Sequence, residues 1–429
     1  MSLGLRCISL VLCAVLAGGC AGEDEPSGSI PATSSTYIVL AWNDLGMHCL
    51  NPSYDTAVIL PPYNTLMAQV IKRGNKPQVV TSGVTVEYRV INNTSSSTKG
   101  LFGQFWANAL KLFGVAPADN KGLTGNGLSG AMAASGTHFE VTGIPVVPID
   151  DSGVKNPYQT AEITVKDLSG NVIAKTRATV PTSDEINCGT CHAAGGSVTQ
   201  VFNDILARHD ASHGTSLTSQ KPVLCASCHG SPALGTSGVG SSGKYLSQAI
   251  HKSHSTRGAT CYDCHPGANT KCNRSASHTA ADGNCVTCHG DMSNVAATIV
   301  SGRVPWATEP KCVTCHSGIA QVDTGATLYR NAAGHGGVYC AGCHGSPHAM
   351  YPVSAASQDA TGNYQPLQYQ QKAMVLGDCR SCHKSSRGGG NNFAEEHSGK
   401  TSACNVCHTG FQNAGNTAVW PHQFQWKSR

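Results

Sequence analysis

Cys188-Gly189-Thr190-Cys191-His192 is the stretch on which the reading of this chain turns. The same Cys-x-x-Cys-His spacing recurs at Cys225–His229, Cys261–His265, Cys285–His289, Cys312–His316, Cys340–His344, Cys379–His383 and Cys404–His408, eight copies within residues 185–429. A random chain of this composition would hold about 0.05 copies. On one helical turn positions i, i+3 and i+4 share a face, so each copy offers two thiols and one imidazole to a single partner. Zinc ribbons and thioredoxin-like dithiols also use Cys-x-x-Cys, but neither demands a histidine directly after the second cysteine.

That pentapeptide is the attachment signature of c-type haem. The thioether thiols are then Cys188, Cys191, Cys225, Cys228, Cys261, Cys264, Cys285, Cys288, Cys312, Cys315, Cys340, Cys343, Cys379, Cys382, Cys404 and Cys407, and the proximal iron ligands are His192, His229, His265, His289, His316, His344, His383 and His408. Eight covalent haem c groups are expected. Nine further histidines lie in the same region: His209, His213, His251, His254, His278, His335, His348, His397 and His422. Nine candidates for eight distal positions predict bis-histidine ligation at most or all haems. Five of them shortly precede a motif (His213, His254, His278, His335 and His397), yet which histidine serves which haem is not readable from spacing. His251 and His254, three apart on an expected helix, suit two neighbouring haems. Met292, Met350 and Met374 are the methionines of this region, and the supply of histidines leaves them without a ligand role.

The segment carries about 31 residues per haem, too little side chain for an ordinary core, so the porphyrins themselves must supply it. The expected fold here is loop-rich, with short helices at the motifs and little regular secondary structure, over residues 185–429. Residues 36–184 read differently. Short β-rich runs at Tyr37–Leu40, Val79–Val80, Val84–Val90 and Ala161–Val165, the last followed by the turn Asp167-Leu168-Ser169-Gly170-Asn171 and then Val172–Ala174, predict an all-β sandwich with one helix near Phe102–Phe113. His138 falls in a strand-like run and reads as structural. The dense polar stretch Trp42-Asn43-Asp44-Leu45-Gly46-Met47-His48-Cys49 reads as a turn after the first strand with Trp42 in the core. Its functional alternative makes His48 a haem ligand.

At the N-terminus, Arg6, the apolar run Ile8–Leu16 and Leu16-Ala17-Gly18-Gly19-Cys20 resemble a lipoprotein-type signal over residues 1–20, with Cys20 as the lipidation site, followed by a flexible tether over 21–35. The expectation is export, either to an outer-membrane anchor or to the extracellular side. Beyond the signal (Cys7, Cys13), Cys20 and the motifs, only Cys49 and Cys272 remain, either as one disulfide, as two separate thiols or as a ligand. The formal charge of +4 becomes about −5 for the mature oxidised holoprotein and about −13 when reduced, because each haem brings two propionates. Nucleic-acid binding is therefore not expected.

Taken together, the eight motifs, the surplus histidines and the signal resemble the multihaem c-type cytochromes of metal-respiring bacteria, the outer-membrane and extracellular group included. The resemblance covers residues 185–429 and implies an electron wire. Its partners would be other cytochromes or redox proteins, or extracellular metal acceptors, with membrane contact through the lipid anchor and, in some relatives, assembly into homo-oligomers or filaments. His48 or His422 would be the donated ligand in such an assembly. The alternative is an octahaem reductase of the nitrite, hydroxylamine or tetrathionate type with one open iron. No Cys-x-x-Cys-Lys occurs to mark one.

Overall fold

Alternation along Thr160–Asp167 buries Ala161, Ile163 and Val165 while Glu162, Thr164 and Lys166 lie outward. The chain then reverses at Asp167, whose Oδ1 accepts from the backbone N–H groups of Ser169 and Asn171, with Gly170 at φ +84°. This is the predicted hairpin, and it anchors the β-rich half. The structure, a computed structural model, describes residues 36–74, 76–267, 269–270, 272, 285–315, 327–350, 364–371 and 375–383. The expected signal and tether, with Cys20, lie outside the described residues. So do His278, His316, His397, Cys404, Cys407, His408, His422 and Met374, and the side chains of His335 and Cys379.

The strands are β1 (Tyr37–Asn43), β2 (His48–Cys49), β3 (Ala57–Val58), β4 (Asn64–Lys72), β5 (Gln78–Val80), β6 (Val84–Val90), β7 (Ser129–Ala131), β8 (Ala133–Ser135), β9 (His138–Ile144), β10 (Thr160–Asp167), β11 (Val172–Thr179), β12 (Thr182–Ser183) and β13 (Val223–Leu224). One sheet runs β1-β4-β9-β8, with β5 also on β4; the second runs β11-β10-β6-β7. All pairings within these two sheets are antiparallel. Val39, Ala41, Leu66, Ala68 and Val70 of the first meet Val86, Tyr88, Val90, Ile163 and Val165 of the second in one core, the expected sandwich.

β1 and β4 bury both faces. Their outer residues Ile38, Leu40, Trp42, Met67 and Ile71 pack against Ala341 and Leu376, with Tyr329, Val338 and Tyr339 alongside. The outer face of the sheet is therefore covered by the motif-bearing half of the chain. Polar groups on that face are matched across it: Gln69 donates to the Gly337 carbonyl (2.9 Å) and accepts from the Tyr339 N–H (3.2 Å). The Tyr369 hydroxyl serves both the N–H and the carbonyl of Val39, closing an otherwise open strand edge.

The helices are α1 (Gly103–Phe113), α2 (Val198–His213), α3 (Leu246–His254), α4 (Cys285–His289), α5 (Met292–Val300), α6 (Cys340–His344) and α7 (Gln365–Gln370). α1 is the predicted helix. Beyond Asp184, short helices, single 3-10 turns and loops predominate, as expected for a segment this poor in apolar periodicity. α2 is the exception at 16 residues. It is opened by a capping box between Ser197 and Gln200, closed by Gly214 at φ +64°, and held down by Phe202 and Leu206 on Ala57. One short parallel pairing, β13 with β3 directly ahead of Cys225, joins the halves, while another, β12 with β2, ties the end of the β half back to the stretch after β1.

Candidate functional site

Each described motif is wound as a single turn. The turns start at Cys188, Cys225, Cys261, Cys312 and Cys379 in 3-10 form or just beside it, and at Cys285 and Cys340 as α4 and α6. The His192, His229 and His265 amides donate to the carbonyls of Cys188, Cys225 and Cys261 at 2.9, 3.1 and 2.9 Å. The i to i+4 closure read from the spacing is thus present, and it sets two thiols and an imidazole along one side of each turn.

Four motif histidines each face one histidine from outside the motifs. The ring centroids of His192 and His254 are 6.2 Å apart, those of His229 and His209 6.4 Å, those of His265 and His251 6.1 Å and those of His289 and His348 6.1 Å. An iron–nitrogen bond of about 2 Å on each side, plus roughly 1.2 Å from nitrogen to ring centre, puts two axial imidazoles of one haem about 6.3 Å apart. The spacing fits. The ring planes are inclined at 67° and 84° in the first two pairs and at 24° and 27° in the last two.

Hydrogen bonding selects the same nitrogen in six of these eight rings. Nδ1 of His192 meets Asp204 Oδ2 (3.0 Å), Nδ1 of His209 meets Thr215 Oγ1 (3.0 Å) and Nδ1 of His229 meets Ser242 Oγ (2.9 Å). Nδ1 of His251, His254 and His348 meets the carbonyls of Ser247 (2.7 Å), Ile250 (2.8 Å) and Leu45 (3.1 Å). With Nδ1 as donor, the lone pair of a neutral imidazole lies on Nε2, the arrangement that a metal-bound histidine requires. His48 and His138 differ, because their Nε2 atoms are engaged by Asp44 (2.8 Å) and Glu140 (3.3 Å). Both are buried in the β half, His138 in β9, where its Nδ1 also meets the Tyr339 hydroxyl (3.0 Å), and His48 in β2 rather than in the expected turn.

Electrostatics agrees with neutral rings. Burial lowers the pKa of His209, His229 and His251. Burial, then the imidazoles of His251, His348 and His289, push His265 down to about 4; burial, then His348 and Arg303, push His289 down to about 4. His265 and His289 keep exposed surface while standing deep among protein atoms, which is the situation of residues on a cleft wall.

The sites also touch one another. α2 carries both Asp204, on His192, and His209, opposite His229. Burial, and less so nearby Cys188, push the Cys225 thiol up to about 11. α3 carries His254 for the first pair and His251 for the third, the sharing that their spacing suggested, and Asn187 Nδ2 donates to the Tyr262 carbonyl (2.9 Å) between those two motifs. His348 follows His344 of the sixth motif by four residues. Burial, then nearby Cys382, push the Cys343 thiol up to about 12.

Order along the chain does not predict pairing: His254 precedes the Cys261 motif but faces His192. His209, not His213, faces His229, with the His213 ring 4.8 Å from that of His209. Cys49 and Cys272 are brought together, since Cys49 pairs in register with Ser183, whose hydroxyl meets Thr270 at 3.0 Å. Burial, then Cys272, raise the Cys49 thiol. The residues that spacing alone missed are Asp204 and the carbonyl of Leu45. A carboxylate twelve residues past a motif histidine carries no sequence signal by itself, and a backbone carbonyl carries none at all.

Residues 299–384, which contain three of the motifs, match the family model for cytochrome c7 and related cytochrome c. That match identifies a multihaem c-type cytochrome region, an electron-transfer class with covalently bound haem c. No curated protein and no solved structure matches the chain.

Proposed function

We propose that this chain carries electrons along eight covalently bound haems, with both axial positions closed by histidine at the four sites where a motif histidine faces another histidine. The observation that carries the reading is the set of four imidazole pairs, each made of one motif histidine and one other, at 6.1–6.4 Å. We number the sites by motif. Site 1 is closed by His192 and His254, site 2 by His229 and His209, site 3 by His265 and His251, and site 4 by His289 and His348. Bound haem supplies a reversible one-electron iron couple. The protein's share is to fix two neutral imidazoles on each iron, leaving no position for substrate, and to hold the sites near one another.

Adjacency through α2, α3, the His265 neighbourhood and the Gly345–Pro347 link supports the spatial order 2-1-3-4-6-7, which departs from the order along the chain. Electrons would be taken from and passed to other redox proteins or an extracellular metal acceptor. Export and a lipid anchor on Cys20 complete the reading at the cell envelope, where assembly into oligomers would extend the wire.

The test is low-temperature electron paramagnetic resonance of the fully oxidised protein, with haem quantified on the same sample. Eight low-spin ferric haems are expected. Sites 3 and 4, with near-parallel rings, should give rhombic spectra, because parallel planes split the iron dxz and dyz orbitals. Sites 1 and 2, with steeply crossed rings, should give large-gmax signals. A stoichiometric high-spin signal would instead mean an open iron and a reductase.

A further inference from the structure

The stretch Asn43–Gly46 between β1 and β2 is absorbed neither by the sandwich core nor by any haem motif, yet it is highly organised. Asn43 Oδ1 accepts from the N–H groups of Leu45 (3.0 Å) and Gly46 (2.6 Å), while its Nδ2 donates to Asn64 Oδ1 and the Thr65 carbonyl. The turn is thereby clamped to β4, the central strand of its sheet. Its backbone carbonyls grip residues 346–348. The Leu45 carbonyl accepts from His348 Nδ1 (3.1 Å) and from the His348 backbone N–H (3.3 Å), and the Asn43 carbonyl accepts from Ser346 Oγ (2.5 Å). At Gly46, φ is +86°, and a Cβ there would lie 2.8 Å from the Ala349 nitrogen and 3.0 Å from the His348 carbonyl carbon. Only glycine gives both that backbone angle and that approach.

We propose that this β-domain turn is the positioning element for the distal imidazole of site 4. By taking the Nδ1 proton it selects the Nε2 tautomer, and by seating residues 346–349 it aims the ring at His289. The β domain would then hold closed the iron in the middle of the 2-1-3-4-6-7 order. The inference rests on the His289–His348 pairing of the proposed function. Gly46, Ser346 and the Leu45 carbonyl act through His348 and do not touch the iron.

Carbon monoxide binds ferrous haem only where the distal ligand yields, so it reports that position directly. The full holoprotein, dithionite-reduced and titrated with carbon monoxide, should take up none in the wild type, one equivalent per chain in His348→Ala, and a fractional equivalent in Gly46→Ala. Ser346→Ala should bind at the same haem more slowly and serves if Gly46→Ala does not load haem. The double variant Gly46→Ala, His348→Ala should bind no more than His348→Ala alone, and each variant should keep eight haems. Uptake by His348→Ala with wild-type behaviour of both Gly46→Ala and Ser346→Ala would overturn the positioning role and leave the pairing intact. Wild-type behaviour of His348→Ala would overturn both.

Discussion

Glu185 offers the sharpest test of how the haem segment is fastened to the sandwich. Its carboxylate is 9 % exposed and accepts from the Asn269 N–H (3.0 Å), the Thr270 N–H (2.9 Å) and the Thr270 hydroxyl (2.5 Å). These bonds strap the loop that follows His265 to the strand end at Ser183. Burial by itself would raise the carboxyl pKa, but the hydrogen bonds from Thr270 and Asn269 outweigh it and hold the group below its ordinary value of 4.5. Glu185→Gln keeps the shape, removes the charge and points an NH2 at backbone donors. Hydrogen bonds to a charged acceptor contribute about 1.5–3 kcal/mol, so a cost of about 2 kcal/mol to opening of this loop is expected. That corresponds to a roughly thirtyfold loss of hydrogen-exchange protection at the Asn269 and Thr270 amides. The pH dependence has a definite sign. A lowered folded pKa contributes stability that is complete above the unfolded value of about 4.3 and is lost as pH falls through the folded value. The wild-type loop should thus lose protection in acid below about pH 4.3, and the variant should be flat by comparison. Exchange within about threefold of wild type at neutral pH, or a matching acid profile, would refute the strap.

Asp204→Asn removes the carboxylate from His192 Nδ1. Because negative charge on an axial imidazole stabilises ferric iron, spectroelectrochemistry should show one haem moving to higher potential with its low-spin spectrum kept; a downward or absent shift would exclude this tuning role. Phe202→Ala empties the contact that Phe202, beside Leu206, makes from α2 to Ala57 and should cost about 3 kcal/mol in denaturant unfolding. Since α2 also carries His209, one haem should gain high-spin character, and a destabilised variant with an unchanged spectrum would separate the two roles. Mass mapping after alkylation without reductant should show Cys49 and Cys272 crosslinked in protein taken from an oxidising compartment; two alkylated thiols would show that their proximity is not used.

The attachment residues were legible because their chemistry is local: three positions on one turn fix the spacing. The facing histidines were not, since His348 reaches His289 and His254 reaches His192 only through tertiary closure, and spacing left every pairing open. What distinguishes His254 from His48 is the ring nitrogen already engaged, Nδ1 in the first and Nε2 in the second, and no spacing encodes that. In the sandwich, β10 and β11 announce themselves by alternation and by the Asp-Leu-Ser-Gly-Asn turn. β4 did not, although it is the centre of its sheet. Its run Asn64-Thr65-Leu66-Met67-Ala68-Gln69-Val70-Ile71-Lys72 is buried on both faces, so the period of two disappears. Its polar residues are satisfied by partners far along the chain, among them Gly337 for Gln69 and the Pro181 carbonyl for Asn64.

The doubly buried strands also explain why a haem segment this lean needs a β domain. With about 31 residues per motif, the described part of the segment buries few large apolar side chains of its own. Several of those it has, such as Phe202 on Ala57 and Leu376 on the β1 face, are buried against the sandwich. The sandwich in turn leaves Ile38, Leu40 and Trp42 pointing away from its own core, where they would be exposed without the motif half. Neither half closes its surface alone. Contacts made to complete the two halves also reach the imidazoles: β13 on β3 directly precedes the second motif, Glu185 holds the loop after the third, and the Leu45 carbonyl beside Gly46 meets His348, which faces His289 of the fourth. Helices α2 and α3 then bring histidines of different motifs side by side, which is why the order of the histidine pairs need not follow the order in which the motifs occur along the chain.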